Sequence, residues 1–203
     1  MGAATETAVL PDVTGMSNAR RRLYTTALLL FAEHGYHAVS VRDITDELGQ
    51  QPGAFYAHAR SKQELLAELV RIGVTEHRDR LRAAVLEAAD DPVEQLRALV
   101  RAHVLVHLEY PALARVFSRE VRSLDPEQQA SLAGIVSEAR LELLAVIARG
   151  QTTQVFGDVD TVLVATVLGD IGVRLPEWWT PEFPRTRDQI ADTYAEFALK
   201  LLG

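Results

Sequence analysis

Apolar residues recur at helical spacing along almost the whole of this 203-residue chain, and no sustained two-residue alternation flanked by turn residues interrupts them. A half-buried strand needs period two, so the pattern predicts an all-α fold. Leu23, Ala27, Leu30 and Phe31 make one stripe that begins after Ser17, whose hydroxyl can cap a helix, and stops at Gly35. A short second helix is expected after Ser40, with Val41, Ile44 and Leu48 on one face and Gly49 as its stop. Pro52 suits the first turn of a third short helix, where its missing N–H costs nothing. A long helix is predicted from Ser61 through Leu65, Leu66, Leu69, Val70 and Ile72 toward Leu86. Further helices fit about 92–109, 111–123, 126–150, 158–174 and 187–202, separated by Asp91-Pro92, Pro111, Asp125-Pro126, Gly157-Asp158 and the stretch LPEWWTPEFPRT.

With 48% hydrophobic residues the chain can bury a real core. It has no cysteine, which removes disulfides, thiolate metal ligation and a Cys nucleophile, and makes a reducing cytoplasm the expected location. The first sixteen residues, MGAATETAVLPDVTGM, lack a basic segment and a long apolar run, so they read as a disordered arm and not as a signal peptide. Even Val155–Val173 is interrupted by Gly157, Asp158, Asp160, Gly169 and Asp170, so no membrane partner is expected.

The net charge of −7 taken alone argues against nucleic acid. Residues 17–62 depart from that average. There six basic side chains (Arg20, Arg21, Arg22, Arg42, Arg60, Lys62) face four acidic ones (Glu33, Asp43, Asp46, Glu47), the one net basic block of the chain. It coincides with two short helices joined by a Gly-containing turn and supported by an apolar first helix, the ingredients of a helix-turn-helix.

The residues of this block, ALLLFAEHGYHAVSVRDITDELGQQPGAFYAHARSKQELL, resemble the DNA-binding domain of the TetR/AcrR family of repressors. The family run FAExGYxxxSVRDI is matched by Phe31–Ile44, the turn glycine by Gly49, GxxY by Gly53–Tyr56 and SKxELL by Ser61–Leu66, and the likeness covers about residues 19–70. It departs from the family at Gln50, where an apolar residue is common, at Gln51, where Ser or Thr usually caps the third helix, and at Ala59, where Phe usually adds apolar anchoring.

Each residue has its own physical reading. Ser40 can cap the second helix and present its N-terminus to a phosphate. Arg42 opposes the dipole of the first turn, which a phosphate opposite it would relieve. Gln51, Pro52 and Gly53 open the third helix at the end that points into the major groove, where Gln can read adenine and Gly permits close approach. Tyr56 and His58 can donate to phosphates, as can Lys62 in the first turn of the next helix. Against these stand a core role for Tyr56, simple exposure for His58 and a solvated face for Arg20, Arg21 and Arg22.

The resemblance places ligand binding and dimerisation in residues 63–203, after a DNA-binding domain of 17–62 and an arm of 1–16. It implies a homodimer formed through the last two helices, with Val162, Val164, Ala165, Val167, Leu168 and Ile171 on one and Ile190, Tyr194, Phe197, Ala198 and Leu201 on the other. The segment from Gly169 to Leu202 looks like the C-terminal end of some actinobacterial members, of which some relatives sense acyl-CoA thioesters or other lipid-derived acids. Candidate ligand contacts are His103, His107, Arg174 and Trp178, although Trp178 and Trp179 read better as a lid or as packing at the dimer edge than as direct ligand contacts. His103 and His107 share a helical face, which suits a hydrogen-bonded pair or a polar handle in a pocket better than a metal. Arg115, Arg119 and Arg122 fit an anion site, or a solvated face paired to Glu120 or Asp125.

The expected function is therefore a repressor that binds double-stranded operator DNA and is released by a small, largely apolar effector, with no cofactor and no enzymatic activity. A metal-binding helical-bundle enzyme and a DNA-binding module without ligand sensing are the alternatives. No Gly-rich phosphate loop, nucleophile elbow or acid–base constellation supports the enzyme.

Overall fold

The three serines expected to cap helices, Ser17, Ser40 and Ser61, do so in the structure, a computed structural model that describes residues 9–203. Ser17 accepts from the Arg20 amide at the start of α1 (Asn18–His34), which ends on Gly35 at φ +83°. Ser40 opens α2 (Val41–Glu47) with a capping box, its hydroxyl accepting from the Asp43 amide while the Asp43 carboxylate accepts from the Ser40 amide. Ser61 accepts from the Glu64 amide at the head of α3 (Lys62–Glu87). The remaining helices are α4 (Pro92–Glu109), α5 (Pro111–Glu120), α6 (Pro126–Thr152), α7 (Thr161–Trp178) and α8 (Arg187–Leu201), capped at α7 by Asp160 and at α8 by a Thr186–Gln189 box. The described residues contain helices and no strand, so the chain is all-α.

The third short helix is a single 3-10 segment, Pro52–Ala57, and a second 3-10 turn, Val121–Ser123, follows α5. Gln51 makes no side-chain cap bond, which removes one reason for a full α-helical start there.

Two compact units result. One gathers the chain through Gly73 together with Glu109–Leu132, and the other gathers Val74–Leu108 with Ala133–Gly203. In the first, Leu23, Tyr24, Ala27, Leu28 and Phe31 of α1 are buried with Ile44, Phe55, Leu65, Leu66 and Leu69. In the second, Leu81, Leu96, Leu99, Leu143, Ile147, Ala165, Leu168, Ala195 and Ala198 form one core cluster. Arginines of α4 tie this unit's rim to α8, Arg97 pairing with Glu196 and Arg101 with Asp188 and Asp192.

The expected disorder of residues 1–16 is corrected for residues 9–16. Leu10 and Pro11 are buried, and the Arg21 guanidinium donates to the Leu10 carbonyl (3.3 Å), the Pro11 carbonyl (3.0 Å) and the Asp12 carboxylate (3.0 Å). Apolar burial together with three acceptors on one cation fixes this stretch. The rest of the expected arm, residues 1–8, lies outside the described residues. No helix among the described residues is long and apolar enough to cross a membrane.

Candidate nucleic-acid interface and histidine cluster

The turn between α2 and the 3-10 segment is closed by Gly49 at φ +67°, a backbone conformation that side chains with a Cβ rarely adopt. The Gln50 amide returns to the Thr45 carbonyl (2.8 Å), and Thr45 itself is buried with its hydroxyl on the Val41 and Arg42 carbonyls. This turn aims the next residues outward. Gln51, Pro52 and Gly53 are exposed, and a Cβ built on Gly53 would meet nothing within 4 Å. Tyr56 is 62% exposed, which rules out the core reading of its ring. The residue beside it, Phe55, is fully buried and supplies the anchor that Ala59 was expected to leave wanting. His58 is half-buried on the same segment.

Three basic candidates turn inward. Lys62 donates from Nζ to the Tyr36 carbonyl (2.9 Å) and the Val39 carbonyl (2.7 Å) and sits 4.2 Å from the centre of the Tyr36 ring. Burial pushes its pKa down from the ordinary lysine value. The side chain thus closes the loop between α1 and α2. Arg20 donates to the Tyr24 hydroxyl (2.7 Å) and lies 3.9 Å from Glu68, and Arg21 holds the N-terminal stretch described above. Arg22 is exposed, as is Arg42, which stands 3.5 Å from Asp46. At the head of α2 the carboxylate in place is Asp43, whose pKa the Ser40 hydrogen bonds lower, so the cap of Ser40 is satisfied from within.

One contact was not foreseen in the sequence. The Glu120 carboxylate, buried at the end of α5, accepts from the Tyr36 amide (3.0 Å) and the Ser123 hydroxyl (3.0 Å), which corrects its reading as a surface partner for the neighbouring arginines. Gln63 adds bonds to the Tyr36 hydroxyl and the Ser123 carbonyl. These bonds fasten the loop before α2 to α5 and its 3-10 turn.

In the second unit His103 and His107 meet a third histidine, His77 of α3. One ring nitrogen from each of the three lies within 4.8 Å of the others. His77 Nε2 stands 2.8 Å from His103 Nδ1, His103 Nε2 3.2 Å from the Gly169 carbonyl, and His107 Nδ1 2.7 Å from the His103 carbonyl. Burial pushes all three pKa values down, that of His77 to about 3, so the rings are neutral at pH 7. The His103 ring fills the notch left by Gly172 of α7, where an added Cβ would come 2.1 Å from Nε2. Gly172→Ala is therefore expected to expel the ring and cost about 1–3 kcal/mol, read as a lowered urea midpoint with an unchanged slope. Full stability of the variant would contradict this packing.

Arg174 and Trp178 are not brought to the histidines: both are exposed, Trp178 meeting Phe183 edge-on at 5.1 Å. Trp179 is half-buried, packs beside Leu175 and Ile190, and donates to the Arg185 carbonyl (3.4 Å). Val162, Leu163 and Val167 of α7 and Phe197 and Leu201 of α8 are exposed apolar residues at helical spacing.

Residues 23–69 match the bacterial regulatory proteins of the tetR family, and residues 89–202 match the tetracyclin repressor-like C-terminal domain. The HTH-type transcriptional repressor KstR2 of Rhodococcus jostii is 27% identical over 190 residues, covering 93% of each chain. A solved bacterial regulatory protein in the tetR family from Rhodococcus RHA1 is 30% identical with a TM-score of 0.86, covering 93% of this chain and 98% of that one. The ketosteroid transcriptional regulator KstR2 of Mycobacterium tuberculosis is 27% identical with a TM-score of 0.87, over 96% and 98% of the two chains.

Proposed function

The chain belongs to the tetR family of bacterial regulatory proteins, DNA-binding transcriptional repressors that are not enzymes, and from this membership we propose that it grips operator DNA with the exposed ridge of its 3-10 segment. In this reading residues 17–62 bind DNA and residues 63–203 bind ligand and dimerise. The observation that carries it is the ridge itself, Gln51, Pro52, Gly53 and Tyr56 exposed together over a fully buried Phe55. Gln51 reads a base edge, Gly53 lets the backbone approach, and Tyr56 and His58 donate to phosphates, with Ser40 and Arg42 flanking at the head of α2. Lys62 serves the site by holding the loop that positions α2. Binding operator DNA sets the cytoplasm as its place of work.

Two such ridges must span half-sites about one helical turn apart, which calls for a homodimer. The exposed apolar residues of α7 and α8 are its interface. Leu163→Asp is expected to give monomers in analytical ultracentrifugation, since an unpaired carboxylate would be buried there. An unchanged dimer would move the interface elsewhere.

The effector is a small, largely apolar, lipid-derived molecule held in residues 63–203, with His103 and His107 as polar contacts and Arg174 and Trp178 at the periphery. The name of the relative from Mycobacterium tuberculosis, a ketosteroid transcriptional regulator, supports this class. Release follows if the effector binds one arrangement of the dimer better than the DNA-bound one.

The test is fluorescence anisotropy with the DNA upstream of the protein's own coding sequence. Gln51→Ala is expected to lower affinity for that DNA by about 1–3 kcal/mol while leaving non-specific binding nearly unchanged. Tyr56→Phe should weaken both alike. Absence of binding by the unaltered protein at low salt would sink the reading.

A further inference from the structure

The three histidines are arranged as metal ligands. His103 Nε2 faces a carbonyl, so its proton sits there and Nδ1 carries the lone pair. His107 Nδ1 faces a carbonyl too, which leaves the lone pair on Nε2. A carbonyl on the far nitrogen is the outer partner that metal-binding histidines require, because it fixes both tautomer and ring angle. His77 donates from Nε2 to His103 Nδ1; moving that one proton to its own Nδ1 turns Nε2 into a third lone pair at the same place. Neutral rings need lose no proton to bind.

Distances agree. Bonds of about 2.0–2.1 Å place the nitrogens of a tetrahedral site about 3.4 Å apart; here His77 Nε2 and His103 Nδ1 are 2.8 Å apart, and one nitrogen of each of the three rings lies within 4.8 Å of the others. The ligands come from α3 and α4, and the cluster is backed by the Gly169–Gly172 face of α7, whose missing Cβ at Gly172 admits the His103 ring.

We propose that His77, His103 and His107 form a binding site for a late first-row divalent ion of the Zn2+ class, with one coordination position left for water or an anionic oxygen. Imidazole nitrogens suit this class, whereas Mg2+ and Ca2+ demand oxygen ligands. Among the described residues no carboxylate joins the cluster, so the ion's charge favours an anion in the remaining position. The site does not rest on the effector reading, in which His103 and His107 would instead be direct polar contacts.

The experiment uses the full chain treated with chelator and dialysed, then equilibrated with ZnCl2 and separately with CoCl2. The expected result is about one ion per chain, with affinity lowered at least about 10–100-fold in His77→Gln and His107→Gln, the loss known when only an outer partner of a ligand is removed. His34→Gln, on an exposed histidine of the other unit, should bind as the parent does. Circular dichroism confirms that each variant keeps its helices. Should a cluster variant fail to fold, the visible spectrum of Co2+ on the parent decides: intense bands of four-coordinate nitrogen-ligated Co2+ support the site, and the weak spectrum of the aqua ion overturns it. Failure to bind Zn2+, or binding that His77→Gln and His107→Gln leave unchanged, overturns it equally.

Discussion

Phe55→Ala is expected to cost about 3–5 kcal/mol and to abolish operator binding, although the side chain touches no DNA in the proposed complex. Phe55 is fully buried and stands in the middle of the six-residue 3-10 segment Pro52–Ala57. So short a segment has almost no stability of its own, and Gln51 gives it no cap. Its orientation depends on this one ring. Removing the ring frees Gln51, Gly53 and Tyr56 from the geometry that reads a groove, so affinity should fall far more than in Gln51→Ala. Chemical denaturation checks the stability and anisotropy the binding; a variant that keeps both would show that the ridge is held by something else.

Acidification is expected to weaken the second unit of the metal-free protein well before its carboxylates titrate. His77 has a pKa near 3 in the fold against an ordinary value of 6.5, and burial lowers His103 and His107 in the same direction. Above pH 6.5 these rings are neutral whether the chain is folded or not, and their contribution is fully present. As the pH falls below 6.5 the unfolded chain takes up protons that the folded one refuses, and stability declines until the folded pKa is reached. For His77 alone the loss at pH 5 is about 2 kcal/mol relative to pH 7.5. Thermal melts of chelator-treated protein between pH 7.5 and 5 should show the decline, and His77→Phe should make it shallower by the share of His77. A parent melting temperature that is level across that interval would contradict the buried, neutral state of the cluster.

Much of the fold was legible because punctuation and periodicity agree. Ser17, Ser40, Asp160 and Thr186 cap helices at or near the predicted starts, and Pro92, Pro111 and Pro126 each stand at the first residue of a helix. The helix-turn-helix was legible as a pattern, and of the residues that pattern singled out Ser40, Arg42, Gln51, Pro52, Gly53 and Tyr56 are exposed, whereas His58 is half-buried and Lys62 turns inward. What was not legible is pairing across distance. Lys62 reads as an exposed cation until the Tyr36 and Val39 carbonyls are seen above it. Glu120 lies 84 residues from the Tyr36 amide it accepts from. His77 sits in the polar run TEHRDR, where no apolar period marks it, and only the packing of α3 against α4 brings it to His103. On α7 it is Gly172 whose missing Cβ admits the His103 ring, a close approach that the sequence alone does not mark.

The most direct test of the central claim is selection of fragmented genomic DNA by the full-length protein at physiological salt, followed by sequencing. The account predicts enrichment of fragments that share an inverted repeat, with half-site centres one helical turn or a multiple of it apart. Enrichment should be lost with Tyr56→Ala, whose side chain is exposed and whose fold should be unaffected. Recovery no greater than on bare resin, or recovery of DNA without a shared repeat, would contradict it.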